Sequence, residues 1–458
     1  MSKNDNKQPL ATQPIPKLIR QFAIPAIIAN VVNALYNIVD QIFIGNGVGY
    51  LGNAATNIAF PITTISLALA LLIGVGAASN FNLEMGRGNK ELAKKIVGNN
   101  YTSLVLTGLV LMAITLIFVK PLMLAFGATA KTLDYAVTYA SITAYGLPFL
   151  MLSSGGNPLI RSDGSPRYSM TAVLSGAIVN TILDPIFIFG FGWGMAGAAW
   201  ATVIGQVVSG IMVLNYLRRF KQVPLDKEDF KIKWTILLGM AALGLTAMFN
   251  QISATIVQLV TNNLLNNYGP KSAYGADIPI AIAGITAKLN MIFTSVILGL
   301  TQGAQPILGF NFGAKNIARV KEAYIEVIKF ATIVSLLAWG LFQLFAPQII
   351  QIFGSANGLY LSYGVKYLRG FMALLFLNGM QINSTTFFSS IGKARTGAFL
   401  AIIKQLLLLV PFSIIIVLTM GVGNIMYAAP IADFLSWAIT MLLIWHSFKR
   451  MTHTKYLD

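Results

Sequence analysis

Long apolar runs separated by short polar breaks extend from one end of the chain to the other. A membrane-spanning helix needs about 20 predominantly apolar residues, within a range of about 17 to 25. Windows at least that long lie at 17–45, 54–80, 94–119, 131–156, 168–191, 194–217, 234–266, 279–306, 322–346, 357–388, 396–420 and 424–448. The pattern therefore predicts an all-α membrane protein with twelve transmembrane helices.

The composition agrees with a chain that lies mostly in lipid. Of the 458 residues, 56% are hydrophobic and 10% are charged, whereas soluble domains carry about 25% charged residues. The deficit leaves no room for a soluble domain, so the lipid bilayer is the expected environment. The chain has no cysteine, and its two histidines, His446 and His453, lie near the C-terminus. Neither a metal centre nor an organic cofactor is therefore expected.

The distribution of positive charge predicts the topology. The net charge is +17, and 24 of the 32 Lys and Arg residues lie in seven alternate segments, 1–20, 87–95, 161–167, 218–233, 315–321, 393–395 and 449–455. The segments between them keep Lys120, Lys131, Lys271, Lys366 and Arg369. Loops rich in Lys and Arg stay on the cytoplasmic side. Both termini are therefore predicted to be cytoplasmic, and charge spread in this way argues against nucleic-acid binding.

The two halves of the chain resemble each other. Gly76-Ala77, Gly86, Asn89 and Lys94 recur 227 residues later as Gly303-Ala304, Gly313, Asn316 and Lys321, and the loop 161–167 is echoed by 389–395. The matching loops fall on the same predicted side, which indicates two six-helix lobes, residues 1–220 and 221–458. Transporters often have such halves, with the substrate site where they meet. Duplication without a cavity is the alternative, but the absence of soluble domains favours a carrier.

Three carboxylates lie deep in the predicted helices: Asp40, Asp184 and Asp433. A charged Asp at a helix centre costs about 2.5–3.5 kcal/mol, and keeping it neutral at pH 7 costs about 4 kcal/mol. Because the two costs are similar, a nearby cation or a change in hydration decides the protonation state. Such a group is a candidate proton or cation site.

The neighbours of two of these carboxylates support an ion site. Asn33, Asn37 and Asp40 recur at i, i+4 and i+7, with Tyr36 beside them, and Asn180 lies one turn before Asp184. A hard cation prefers oxygen ligands, and carboxylates, amides and the backbone carbonyl that Pro185 leaves without its helical hydrogen bond all offer them. Two carboxylates can instead share a proton. The alternative is that these Asn and Asp side chains only join helices by hydrogen bonds.

Two prolines are candidate hinges. Pro185 follows Asp184 directly, and Pro25 lies in the first predicted helix. Proline has no N–H, so Pro185 frees the carbonyl group one turn earlier and can kink its helix. Asp433 has two candidate partners, since Lys288 or Lys404 could pair with it. A structural ion pair and a role in coupling both remain open for this group.

Several motifs together resemble the MATE (multidrug and toxic compound extrusion) family, most closely its MepA-like bacterial branch. They are "NALYNIVDQIFIG", "NPLIRSDGSPR", "NTILDPIFIFGFGWGMAGAAWAT", "GLTQGAQPILGFNFGAKN" and "PIADFLS", in this order along nearly the whole chain. The resemblance implies two lobes in a V around a central cavity, with efflux driven by H+ or Na+. It also implies a cation site at Asp40, Asn180, Asp184 and Thr202, joined by Tyr139 and Asn157, and a bend at Pro25.

One departure from the family is informative. Another MATE branch carries acids on helices 7 and 10, where this chain has only amides: Gln251, Gln258, Asn262, Gln381 and Asn383. Coupling is therefore expected to run through the N-terminal lobe.

The expected function is a multidrug efflux antiporter coupled to H+ or Na+ that exports amphipathic organic cations and is not an enzyme. A monomer in a bacterial cytoplasmic membrane is expected. A flippase for a lipid-linked precursor would need a strongly basic cavity, whereas the spans contain only Lys288, Lys329 and Lys404. Export of an endogenous metabolite stays open.

Overall fold

The described part of the chain is built from helices. The computed structural model describes residues 9–275, 277–353 and 358–452, and no strand occurs within them. Lys3, Lys7, His453 and Lys455 lie outside these ranges. The first six membrane helices are α1 (Ile15–Gly47), α2 (Tyr50–Arg87), α3 (Lys90–Ala125), α4 (Leu133–Ala144 and Leu147–Ser162), α5 (Pro166–Pro185, continued by a π-helical segment, Ile186–Gly190) and α6 (Gly194–Tyr216).

The second six follow the same plan. They are α7 (Trp234–Tyr268), α8 (Asp277–Gly313), α9 (Ile317–Leu344), α10 (Gly358–Phe371 and Leu375–Ser390), α11 (Ala394–Ile402, a π-helical segment Ile403–Leu409, and Val410–Met420) and α12 (Ala428–Thr452). Shorter helices, Pro9–Thr12 and Ala346–Phe353, precede α1 and follow α9. Every window that the sequence predicts to cross the membrane therefore contains a helix or a pair of helices.

Two of the twelve are broken. Among the described residues, ten helices are long and apolar enough to cross a membrane, and the two parts of α4, bent by 57°, would make an eleventh span. In α10 the turn 372–374 separates two helices of 14 and 16 residues. Each part of α10 is too short to cross alone, so this predicted helix exists as a broken span.

The repeat is visible in the backbone. Asn89 and Asn316 cap α3 and α9, and each accepts a hydrogen bond from the backbone N–H three residues later at 3.3 Å. Gly164 and Gly392 both adopt the left-handed conformation, with φ of 84° and 82°. These turns lie at one end of the bundle, which we call the basic side. The boundary between residues 220 and 221 stays a prediction.

The two halves meet near the basic side. A Cβ atom on Gly76 of α2 would lie 1.8 Å from the carbonyl oxygen of Met240 in α7, and one on Gly303 of α8 would lie 2.5 Å from the Cα of Ala23 in α1. Only glycine lets backbones approach this closely. The Gln305 amide of α8 also donates to the Ser79 hydroxyl of α2 at 2.9 Å. The basic side is therefore closed.

Toward the other end of the bundle, α1 and α8 move apart. Among the described residues, the outermost hydrogen bond between α1 and α8 joins the Asn30 amide to the Gln302 side-chain oxygen at 3.1 Å. Beyond it, Asn33 and Asn37 on α1 and Met291 and Leu298 on α8 are exposed. A cleft between the halves therefore opens away from the basic side.

Candidate ion-coupling site

Helices of the N-terminal half bring two carboxyls together in the protein interior. Asp40 of α1 is 7% exposed and Asp184 of α5 is fully buried. The two carboxyl groups are neighbours, close enough for the charge on one to act on the other. On α5 and α6, the buried Asn180 amide donates to the Thr202 hydroxyl at 3.3 Å. Four residues from three helices therefore form one polar cluster.

The oxygen atoms of this cluster lack donors. Oδ1 of Asp40, both carboxyl oxygens of Asp184 and Oδ1 of Asn180 are buried, and no donor among the described residues bonds to any of them. A buried polar atom without a partner costs about 1–3 kcal/mol, and more when it is charged. A proton shared by the two carboxyls would remove part of this cost, and so would a hard cation among the oxygens. The cluster therefore offers the oxygen atoms that a shared proton or a hard cation would satisfy.

Two tyrosines border the cluster. Tyr36 of α1 and Tyr139 of α4 lie beside the Asp40 and Asp184 carboxyls and near the Thr202 hydroxyl. Asn157 lies in the second part of α4, where its amide donates to the Ser153 carbonyl at 2.8 Å and not to either carboxyl. The structure thus places both tyrosines at the cluster but does not join Asn157 to it.

Asn33 and Asn37 differ from Asp40 in burial, and their part in an ion site stays a prediction. Both are exposed, and the Asn37 amide donates to the Asn33 carbonyl at 2.6 Å. Asn33 lies about 10 Å along the helix axis from Asp40, so residues on similar faces meet different neighbours as the cleft opens.

The helix changes its winding directly after Asp184. Pro185 ends the α-helical part of α5, and Ile186–Gly190 continue as a π-helix. Single π-turns inside helices occur frequently at functional sites. By contrast, α1 runs as one helix from Ile15 to Gly47 through Pro25. The hinge role of Pro25 stays a prediction.

A second polar cluster lies in the C-terminal half. Lys404, at the π-helical segment of α11, pairs with Asp433 of α12 at 2.9 Å, and the Asn378 amide of α10 donates to the same carboxyl at 3.4 Å. Asp433 is 4% exposed, and the Lys404 side chain is 19% exposed. Lys288 is exposed on α8, and none of the ion pairs among the described residues includes it, so Lys404 is the partner. The sequence-based reasoning missed Asn378, although an Asn within an apolar helix was the available signal.

Two similar helical halves close one end of a cleft and hold buried carboxyls with unsatisfied oxygens. This arrangement is that of a membrane transporter. The chain belongs to the MatE family, whose sequence profile matches residues 25–186 and 246–415. The resemblance predicted from the motifs is therefore confirmed, and the protein is a multi-pass membrane transporter rather than an enzyme.

Known proteins match the chain over nearly its whole length. The multidrug export protein MepA of Staphylococcus haemolyticus (strain JCSC1435) is 26% identical over 447 residues, which cover 96% of this chain and 95% of MepA. A solved outward-facing conformation of a multidrug resistance MATE family transporter is 25% identical with a TM-score of 0.90, covering 99% of this chain and 100% of that one. A MATE in the straight conformation also gives 0.90 at 25% identity, covering 97% and 99%. The twelve-helix, all-α fold is confirmed.

Proposed function

We propose that the protein is a multidrug efflux antiporter that exports amphipathic organic cations by alternating access, coupled to H+ or Na+. The observation that carries the proposal is the group of buried oxygens without donors on Asp40, Asn180 and Asp184. The likeness to MepA, a multidrug export protein, supports the efflux part. In this proposal, Thr202, Tyr36 and Tyr139 border the ion.

The cleft supplies the outward-facing state of the cycle. The basic side is cytoplasmic in this proposal, as the Lys and Arg distribution predicts, and both termini lie there. The membrane is the bacterial plasma membrane, and the transporter works as a monomer. Since the halves are packed at the basic side, the open end faces outward, where a substrate is released.

Coupling follows from competition for the same negative charge. With no ion bound, the Asp40 and Asp184 carboxyls attract a cationic substrate from the cytoplasmic side. Binding of H+ or Na+ from outside neutralises them, so the affinity for the cation falls and it leaves. Two ligands that weaken each other in this way share one coupling free energy. The π-helical turn after Pro185 lets α5 repack around the changed charge.

The test is transport by the purified protein in liposomes. Uptake of ethidium is followed under an imposed proton gradient and then under an imposed sodium gradient. Wild type should respond to one gradient and thereby name the ion, whereas Asp184→Asn should lose the gradient-driven component. Asp134→Asn is the matched control, because Asp134 is exposed in the first turn of α4. If gradient-driven transport of ethidium persists in Asp184→Asn at the wild-type rate, the assignment of Asp184 to ion coupling is refuted.

A further inference from the structure

Lys288 lies at an unusual depth for an exposed charge. It follows Asp277, the first residue of α8, by eleven residues, which places it about 16 Å along the helix axis. Its side chain is exposed there. Ionisable side chains within the membrane nearly always face the bundle interior or a water-filled cavity, because lipid solvates them poorly. The position of Lys288 therefore needs a polar surface that it can face.

The helix period identifies that surface. Gln302 on α8 meets Asn30 on α1, and Gly299 on α8 packs against the backbone of Ile27. At about 100° per residue, Lys288 projects about 40° from Gln302, between Gln302 and Gly299. It therefore shares the face of α8 that contacts α1 nearer the basic side. Because the helices separate beyond Asn30, this face lines the cleft, and Lys288 faces the N-terminal half across it.

The nearby polar groups do not neutralise Lys288. Within the described residues, none of the ion pairs involves it. On α7, Gly244 packs against Leu72, and Gln258 follows Gly244 by fourteen residues on nearly the same helix face, where its amide is exposed. Asn33 and Asn37 add exposed amides from α1. Lys288 is thus a cation among neutral amides.

The cleft is consequently dipolar. The carboxyls of Asp40 and Asp184 are buried within the N-terminal half, whereas the opposite wall exposes one ammonium group. A simple cation would meet repulsion from this wall. A molecule with both charges would interact favourably with both halves, because its cationic part would face the carboxyls and its anionic part would contact the lysine.

We propose that Lys288 is a specificity-determining residue that binds the anionic group of the transported compound, so that amphipathic zwitterions are preferred over simple cations. This inference rests on the proposed efflux function. An ion pair in a hydrated cleft contributes up to about 1 kcal/mol, which corresponds to about fivefold in affinity. The ligand chemistry is a carboxylate or phosphate on an amphiphile.

A matched pair of fluorescent dyes tests the proposal. Rhodamine 110 carries a free carboxylate, and rhodamine 123 is its methyl ester with the same cationic ring system. Binding of each dye to the purified full chain in detergent is measured by fluorescence polarisation for wild type, Lys288→Gln and Lys288→Arg. Lys288→Gln should weaken rhodamine 110 binding about fivefold and leave rhodamine 123 binding equal or tighter. Lys288→Arg should retain the wild-type preference.

The outcomes separate this inference from the efflux proposal. An unchanged ratio of the two affinities in Lys288→Gln, with rhodamine 123 still bound as evidence of folding, would overturn the role of Lys288 alone. Failure of wild type to bind either dye would overturn both proposals. Binding of rhodamine 110 could instead be the same in wild type and Lys288→Gln, while binding of phosphatidylglycerol is lost in Lys288→Gln. That result would assign the lysine to a lipid headgroup instead of a substrate.

Discussion

The ion pair between Lys404 and Asp433 is expected to be structural, and its removal one side at a time should show this. In Lys404→Met, the Asp433 carboxyl stays buried, and the Asn378 amide is the side-chain donor left to it among the described residues. Breaking a buried pair by removing one partner costs about 3–5 kcal/mol. Because the Lys404 side chain is 19% exposed, water can partly replace it, and a loss near about 3 kcal/mol is expected.

The double variant Lys404→Met/Asp433→Leu supplies the comparison. It removes both charges and fills similar volume, so its stability should rise above that of Lys404→Met. Recovery should be incomplete, because the buried Asn378 amide loses both Lys404 and Asp433 as hydrogen-bond partners. Thermal unfolding can be followed by tryptophan fluorescence in detergent, since Trp437 lies one turn beyond Asp433 in α12.

Two results would refute this reasoning. A double variant that is no more stable than Lys404→Met would mean that the cost does not come from an uncompensated charge. A stable double variant that binds ethidium but no longer responds to an ion gradient would assign the pair to coupling instead. Gradient-driven transport by the double variant is the expected result.

Two further substitutions test how the halves are held together at the basic side. Gly76→Ala would place a Cβ atom 1.8 Å from the Met240 carbonyl oxygen, so the melting temperature should fall by several degrees. Gly340→Ala is the control: its Cβ atom would meet nothing within 4 Å, so this variant should not lower the melting temperature. Arg319→Ala removes a hydrogen bond to the Leu10 carbonyl at 3.1 Å, which should speed hydrogen–deuterium exchange in the segment before α1; unchanged exchange there would contradict its role as a tether.

The sequence predicted the two carboxyls of the polar cluster in the N-terminal half and several of their neighbours. Asp40 and Asp184 stand out because a carboxylate in an apolar run is costly wherever the helix packs. Thr202 and Tyr139 came from the family resemblance, since neither residue type is unusual in a membrane helix. The depth and the sign of a charge are local properties, so they can be read along the chain.

The partner of each polar group could not be read in the same way. Lys288 and Lys404 were equal candidates for Asp433, and the packing of α10, α11 and α12 selects Lys404. Asn33 and Asn37 have the helical spacing that would place them on the same face as Asp40. Both are exposed, however, whereas Asp40 is buried. Which neighbour covers a helix face depends on residues far away in the chain.

The sequence by itself therefore determined the membrane environment, the helical windows, the repeat and the buried carboxylates. Each of these follows from apolar length, charge position or local similarity, which need no knowledge of neighbouring helices. The tertiary structure alone decided that the basic side is closed, that the cleft opens beyond Asn30, and that Lys288 is exposed on α8. These features depend on how α1, α2, α7 and α8 cross, because only the packing of helices decides which side chains share a space.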